Sequence, residues 1–410
     1  AHFCRFYDVD GSIIDEGLVL YFPAPHSFTG EEVIELQGHG GMILQQQLLA
    51  RVFELGAKQA AAGEFSARAF DNDKLDLVQA EAIADAIDAT SVAAAKSAIR
   101  SLTGEFSQKI QALLSLLIQL RLYVEAAIDF PDEEGVDFLA DDHIAKQLLQ
   151  VRQQLAAVLA TAKQGQLLRD GVSVVIAGRP NAGKSSLLNR LAGQERAIVT
   201  DIAGTTRDIL QETIVLNGLT LNLTDTAGLR QTDDVVEKAG IARAKQAIEQ
   251  ADLLLMVYDA HQESDPLALA KALFGCLPAS NDILMIANKV DLTPPSKPLP
   301  KALDEAAGYL PVYVSCKTGQ GLEALITAIC DKVGFHPPEN SLIARTRHLD
   351  ALRRTQAALQ EADEQLHTYH AGELVAESLR QAQLSLNEIT GEFTADDLLG
   401  KIFGSFCIGK

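Results

Sequence analysis

The hydrophobic pattern changes character several times along the chain. In FCRFYDVDGSIIDEGLVLYF (Phe3 to Phe22) the apolar residues fall in two short runs around Asp10–Gly11, which predicts two strands joined by a turn. PAPHSFTGEE reads as a loop after them. From about Asp73 the period lengthens. LDLVQAEAIADAIDATSVAAAKSAIRSL carries its apolar residues at helical spacing, no proline recurs before Pro131, and a second helical stretch runs from about Asp141 to Leu168. Then VSVVIAG (Val172 to Gly178) opens a series of continuous apolar runs: TLNLTD, ADLLLMVYDA, DILMIANK and LPVYVS. They alternate with helix-like segments, which predicts a parallel sheet with crossover helices. After about Phe335 the helical period returns in RHLDALRRTQAALQEADEQL and ELVAESLRQAQLSL. An α/β unit therefore interrupts a helical region.

Composition narrows the class. A chain of 410 residues, 47% hydrophobic and 22% charged, has material for two or three domains of roughly 150 residues each. The longest apolar runs, such as LLSLLIQL (Leu113 to Leu120), fall short of the roughly 20 residues that span a bilayer, and no basic-then-apolar leader is visible after Ala1. The five cysteines, at 4, 276, 316, 330 and 407, form no CxxC pair, which suits reduced thiols in a cytoplasm. A net charge of −20 argues against broad, sequence-independent binding to nucleic acid, and leaves room for a local basic patch or a basic partner. With no tryptophan and 5% aromatics, stacking platforms for single strands are not expected.

The candidate chemistry lies in the middle. GRPNAGKS (Gly178 to Ser185) matches GxxxxGK[ST] between a strand run and the helix-like SSLLNRLAG. Glycines let backbone N–H groups face phosphates, and the following helix N-terminus adds a favourable dipole. The run Asn181, Ala182, Gly183, Lys184, Ser185 and Ser186 would surround the phosphates, with Lys184 on the β- and γ-phosphates and the Ser185 hydroxyl on magnesium. Three further elements follow in order. TDIAGTTRD supplies Thr200, Asp201, Ile202, Ala203 and Gly204, then the hydroxyls of Thr205 and Thr206, one of which can reach magnesium. DTAGLR ends a strand with Asp225, Thr226, Ala227 and Gly228, where a carboxylate can hold the metal's water and a backbone N–H can sense the γ-phosphate. NKVD (Asn288, Lys289, Val290, Asp291) offers an aspartate that can accept both donors of the guanine edge, and Ser315, Cys316 and Lys317 close the base pocket. The residue after Gly228, where a water-orienting glutamine stands in Ras-type enzymes, is Leu229.

These motifs, with AGTTRD, the interrupted helical region and the terminal FCIGK, resemble the tRNA-modification GTPases of the TrmE-Era-EngA group of bacterial GTPases, over essentially the whole chain. The resemblance implies a multidomain fold: an α+β N-terminal domain over 1–72 that binds folate and dimerises, an all-α helical domain in two parts over 73–169 and 336–410, and an inserted α/β Ras-like P-loop GTPase domain over 170–335. The family's chain begins some tens of residues before Ala1, so the front segment is expected to be absent. The resemblance also implies that hydrolysis uses K+ in place of an arginine, held by Asn181, Thr200, Ile202 and Thr205, with Mg2+ on Ser185 and Thr206. Glu237, otherwise read as a first-turn helix carboxylate, would position water through a second water. Arg207 and Asp208 would act across a dimer or pair on the surface.

By the same resemblance, Glu35 and Lys74 contact a 5-formyl- or methylene-tetrahydrofolate, although from the residues alone both read as solvated charges. Cys407, with Lys410, would sit near the one-carbon unit, or Cys407 would be a small buried residue of a docked tail. His367 and His370 share i,i+3 spacing with no third ligand nearby. The implied activity is GTP hydrolysis by a cytoplasmic homodimer that works on tRNA with a flavoprotein, MnmG, placing an aminomethyl or carboxymethylaminomethyl group on C5 of the wobble uridine. The alternatives are a ribosome-assembly GTPase and a slow GTP-dependent scaffold.

Overall fold

In a computed structural model of the chain, the described residues are 1–129, 142–193, 211–225, 248, 251–263, 265–275, 278–279, 282–292, 309–336, 341–369 and 371–391. The chain divides into two compact units: Ala1–Ala84 with Arg100–Ala156 and Asp350–Lys410, and Asp85–Ile99 with Ala157–Leu349.

The first unit opens with β1 (His2–Tyr7), β2 (Ile13–Phe22) and β3 (Val33–Gln37), an antiparallel sheet in the order β1-β2-β3. The Asp10–Gly11 turn lies where the sequence predicts it, with Gly11 at φ +82° donating its N–H to Asp8. Helix α1 (Met42–Glu54) follows and buries none of its residues. Helices α2 (Glu64–Asp71) and α3 (Leu77–Ile87) follow; α4 (Val92–Leu102) belongs mostly to the second unit, and the first resumes with α5 (Glu105–Asp129). By length and composition α5 could cross a membrane, with a mean hydropathy of 1.4 over Glu105–Ile128. Its apolar residues nevertheless form a core stripe. Phe106, Ile110, Leu113, Leu117, Leu120 and Val124 recur at i+3 or i+4 and are all buried. They face the returning helices of the same unit, of which the last, Gly372–Thr390, packs along α5.

The second unit is built on a six-stranded sheet in the order β5-β6-β4-β7-β8-β9. The strands are β4 (Val172–Ala177), β5 (Gln211–Leu216), β6 (Leu219–Asp225), β7 (Leu253–Asp259), β8 (Ile283–Asn288) and β9 (Pro311–Tyr313). All neighbours are parallel except the β5–β6 hairpin. β7 and β8 are buried along their whole length, as expected of parallel strands covered on both faces. The pleat sorts their side chains into two cores. Val174, Ile176, Leu255, Val257 and Ile286 go to one face, and Val175, Leu254, Met256, Met285 and Ala287 to the other. Helices α7 (Lys184–Ala192), α8 (Pro266–Phe274) and α9 (Leu322–Val333) cover the faces.

Two chain segments bound this sheet: α6 (Asp142–Asp170), which leads into β4, and the stretch 341–345, which leads into α10 (Thr346–Glu364). They are joined through Asp85, whose side chain is 5% exposed. Its Oδ1 accepts from Arg169 Nε and from Arg345 Nη2, both at 2.8 Å. A buried carboxylate is tolerated when its desolvation is offset by such donors, and removing it leaves two guanidiniums crowded together. We expect Asp85→Asn to destabilise this unit by roughly 2–4 kcal/mol, with a fall in Tm of ~2–4 °C per kcal/mol. The exposed pair of Arg353 with Asp350, at 3.1 Å, is the control: Asp350→Asn should change stability by less than about 1 kcal/mol. Calorimetry of the two variants checks the difference.

Candidate functional site

The carboxyl ends of β4, β7 and β8 carry one site. The loop from Gly178 to Gly183 leaves β4 and feeds α7. Two of its glycines are required by close packing. A Cβ on Gly178, at φ +153°, would lie 2.1 Å from Val257 O, and one on Gly183, at φ +98°, would lie 2.1 Å from Asn288 Nδ2. Asn181 also adopts a left-handed conformation, at φ +63°, and is exposed at the tip of the loop. Lys184 is 8% exposed, and its ammonium donates to the carbonyls of Gly178 and Arg179 at 3.0 Å each. Ser185 and Ser186 are exposed in the first turn of α7.

The base side is tied to this loop by one side chain. Asn288, 2% exposed, donates from Nδ2 to Ala182 O at 2.9 Å and accepts on Oδ1 from the Cys316 N–H at 3.2 Å. It thus links the phosphate loop, NKVD and the SCK turn. Ser315 is fully buried; its hydroxyl donates to Asp291 Oδ1 at 2.7 Å and accepts from Thr318 N at 3.2 Å. That bond orients the Asp291 carboxylate and leaves its other oxygen for two donors on a ligand. Burial pushes the Cys316 thiol up, so it is a neutral wall residue at neutral pH. Lys317 is exposed beside it.

Lys289, at φ +68°, pairs through Nζ with Asp259 Oδ2 at 2.8 Å. Burial works against the charged carboxylate of Asp259, but the Lys289 bond and the His261 N–H hold it below the usual range. Arg179 of the phosphate loop lies 3.3 Å from Glu263. The sequence reading assigned neither carboxylate. Their signal was thin: in DAHQE one is the last residue of a buried strand and the other lies in the loop just past it.

Thr200, Asp201, Ile202, Ala203, Gly204, Thr205, Thr206, Arg207 and Asp208 lie outside the described residues, as do Thr226, Ala227, Gly228, Leu229, Glu237, His370, Cys407 and Lys410. Asp225 is the last residue of β6. Among the described residues, the phosphate-facing and base-facing groups are brought together as the motif order requires. The glycine-bounded turn after β4, with Lys184 tied to it and Ser185 in the first turn of α7, suits the phosphates of a nucleotide and a hard cation on them.

The first unit holds a separate cleft of about 670 Å3, lined in part by Asp71, Lys74, Asp76, Gln79, Gln108 and Gln111. Two buried hydroxyls on its lining residues, Ser107 Oγ and Thr390 Oγ1, have no hydrogen-bond partner among the described residues. The volume, with polar side chains set in a lining that is mostly apolar, fits a small cofactor with polar edges. Lys74 reaches from its rim to Pro25 O at 3.0 Å. Glu35 is exposed on β3, an edge strand. His367 Nδ1 sits 2.9 Å from the Asp363 carbonyl.

The parallel sheet, phosphate loop and NKVD turn define a Ras-like P-loop GTPase domain interrupting a helical domain. A model of the GTP-binding protein TrmE N-terminus matches residues 1–74, and a model of the MnmE helical domain matches residues 77–407. The chain belongs to the MnmE (TrmE) family. It is 72% identical over 419 residues to the tRNA modification GTPase MnmE of Psychrobacter arcticus, covering 100% of this chain and 88% of that protein. To the proteins of the same name from Acinetobacter baumannii and Pseudomonas aeruginosa it is 63% and 56% identical, again over 100% of this chain and over 89% and 90% of theirs. Among solved structures, the G domain of the T. maritima FeoB iron transporter matches 39% of this chain and 98% of that one, at 26% identity and a TM-score of 0.30.

The base pocket yields a direct test. Asp291→Asn keeps the acceptor for Ser315 but turns a donor toward the base. GTP affinity should fall by about a hundredfold or more, and xanthosine triphosphate, with a carbonyl where guanine has its amino group, should bind the variant better than it binds the native chain. Competition binding with the two nucleotides checks it.

Proposed function

We propose that the chain is a potassium-activated GTPase that works as a cytoplasmic homodimer with the flavoprotein MnmG, adding an aminomethyl or carboxymethylaminomethyl group to C5 of the tRNA wobble uridine. At the coarser level, the chain is a GTP hydrolase acting in tRNA modification, and it binds GTP with Mg2+. The observation that carries the finer reading is the loop tip. Asn181 adopts a left-handed conformation and is exposed at the tip of the phosphate loop, and its amide oxygen is a hard ligand type for a cation.

In this reading Lys184 exchanges its two carbonyl partners for β- and γ-phosphate oxygens, and loop N–H groups fix the remaining oxygens. Ser185 and Thr206 hold Mg2+. Asn181, Thr200, Ile202 and Thr205 hold K+, which supplies the positive charge that an arginine gives in other GTPases. Asp225, Thr226, Ala227 and Gly228 sense the γ-phosphate, and Glu237 orients water, since Leu229 cannot. Asn288 organises the pocket, Asp291 reads the guanine edge, and Ser315, Cys316 and Lys317 wall it. Folate supplies the one-carbon unit; Lys74, at the rim of the 670 Å3 cleft, together with Glu35 and Lys410, binds it, and Cys407 lies near that carbon.

The decisive experiment is steady-state GTP hydrolysis in K+ and in Na+ at equal ionic strength. The native chain should turn over at least about tenfold faster in K+, a difference of about 1.4 kcal/mol in the barrier. Asn181→Gly should abolish that preference. Glycine is the right probe because alanine at φ +63° would add backbone strain of its own. Equal, negligible rates in both salts would instead favour a slow switch without significant turnover.

A further inference from the structure

The last residue of β7 is a buried carboxylate to which the proposed reaction gives no role. Asp259 is 7% exposed. Its backbone is fixed on the sheet: it pairs in register with Asn288, and the next residue, Ala260, donates its N–H to Asn288 O at 3.0 Å. Its side chain is fixed too, with Oδ1 accepting from His261 N at 2.9 Å and Oδ2 accepting from Lys289 Nζ at 2.8 Å. Lys289 therefore has both ends held. Its backbone sits at φ +68°, a conformation a lysine rarely adopts, and its ammonium is anchored on Asp259.

What remains between the two anchors is a four-carbon apolar stem. In the NKVD turn its residue follows Asn288, which ties the phosphate loop to the SCK turn, and precedes Asp291, which Ser315 orients. An extended alkyl strip with its charge drawn off to one side is suited to lie against the face of a flat base. A lysine with an unanchored head would pay rotamer entropy each time it took up that position.

We propose that Asp259 is a positioning residue of the guanine site, acting through Lys289 to hold the lysine stem as a preformed surface for the base. The inference rests on the guanine-site reading above. It assigns the β7 strand end a share in nucleotide affinity, and none in hydrolysis.

The test measures GDP and GTP binding by titration calorimetry, and hydrolysis, on the whole chain. Asp259→Asn should weaken GDP and GTP by the same factor, about tenfold, and raise KM while leaving kcat unchanged. Lys289→Met, which keeps the stem length but cannot be anchored, should show the same loss, and the double variant should lose no more than either single one. Native-like affinity in Asp259→Asn or in Lys289→Met overturns the proposal. So does a double variant whose losses multiply, because Asp259 would then act independently of Lys289. If Asp259→Asn does not fold, the affinity of Lys289→Met alone decides. Failure of the native chain to prefer guanine over adenine nucleotides would instead overturn the guanine-site reading, a separate result.

Discussion

A domain inserted into another must begin and end at nearly the same point, and the sheet of the second unit depends on how that constraint is met. Asp85 meets it with one carboxylate shared by Arg169, where the chain arrives, and Arg345, where it leaves. The two segments also touch directly. A Cβ on Gly165 would lie 1.8 Å from Leu342 O, so only glycine allows the approach. Gln164 brackets the returning chain, donating to Gly334 O and accepting from His336 N, both at 2.8 Å. β4 starts within three residues of Arg169 and runs six residues to the phosphate loop, about 20 Å at 3.3 Å per residue. A second anchor holds the β5–β6 hairpin, whose Thr220 hydroxyl lies 2.9 Å from Thr90 and whose turn carbonyl, Gly218 O, accepts from Ser91. The β5–β6 hairpin is thus tied to the same block as the phosphate loop.

The site then follows from sheet order. In an open parallel sheet, ligands meet the carboxyl ends of the strands. Here β4, β7 and β8 are neighbours, so the phosphate loop, the DAHQE turn and NKVD emerge side by side. Contact is close enough to exclude side chains: Gly178 abuts Val257 O, and Gly183 abuts the amide of Asn288. The left-handed residues Asn181 and Lys289 show what that crowding demands of the backbone. Such strain persists only where the surroundings over-determine it, and here two hydrogen bonds from Asn288 and the buried Asp259 carboxylate do so.

How much of this was legible depended on the range of the interaction. The strands VSVVIA, LLLMVYD and ILMIAN were readable because burial on both faces leaves an unbroken apolar run. The phosphate loop was readable because its chemistry fixes residue types over eight positions. The Asp85 clasp was not. Its partners lie 84 and 260 residues away, and no local period marks them. Helix α1 was not assigned from the sequence, and the structure buries none of its residues. In α5 the apolar content alone suggested less than the structure shows, because the six buried residues from Phe106 to Val124 matter by their spacing rather than by forming a long run.

Charge explains the division of labour among the cations of the site. The chain carries a net −20, so a nucleotide anion approaches an unfavourable field and must be captured locally. Arg179 and Lys289 are set against carboxylates, Glu263 and Asp259, which fixes their heads and commits their charge to the protein. Lys184 is also tied to its own loop. It donates to the carbonyls of Gly178 and Arg179, neutral acceptors within the same loop. Exchanging a carbonyl for a phosphate oxygen replaces a bond to a neutral acceptor with one between opposite charges, which is roughly twice as strong. The loop can therefore keep its lysine in place without a ligand and still release it to one.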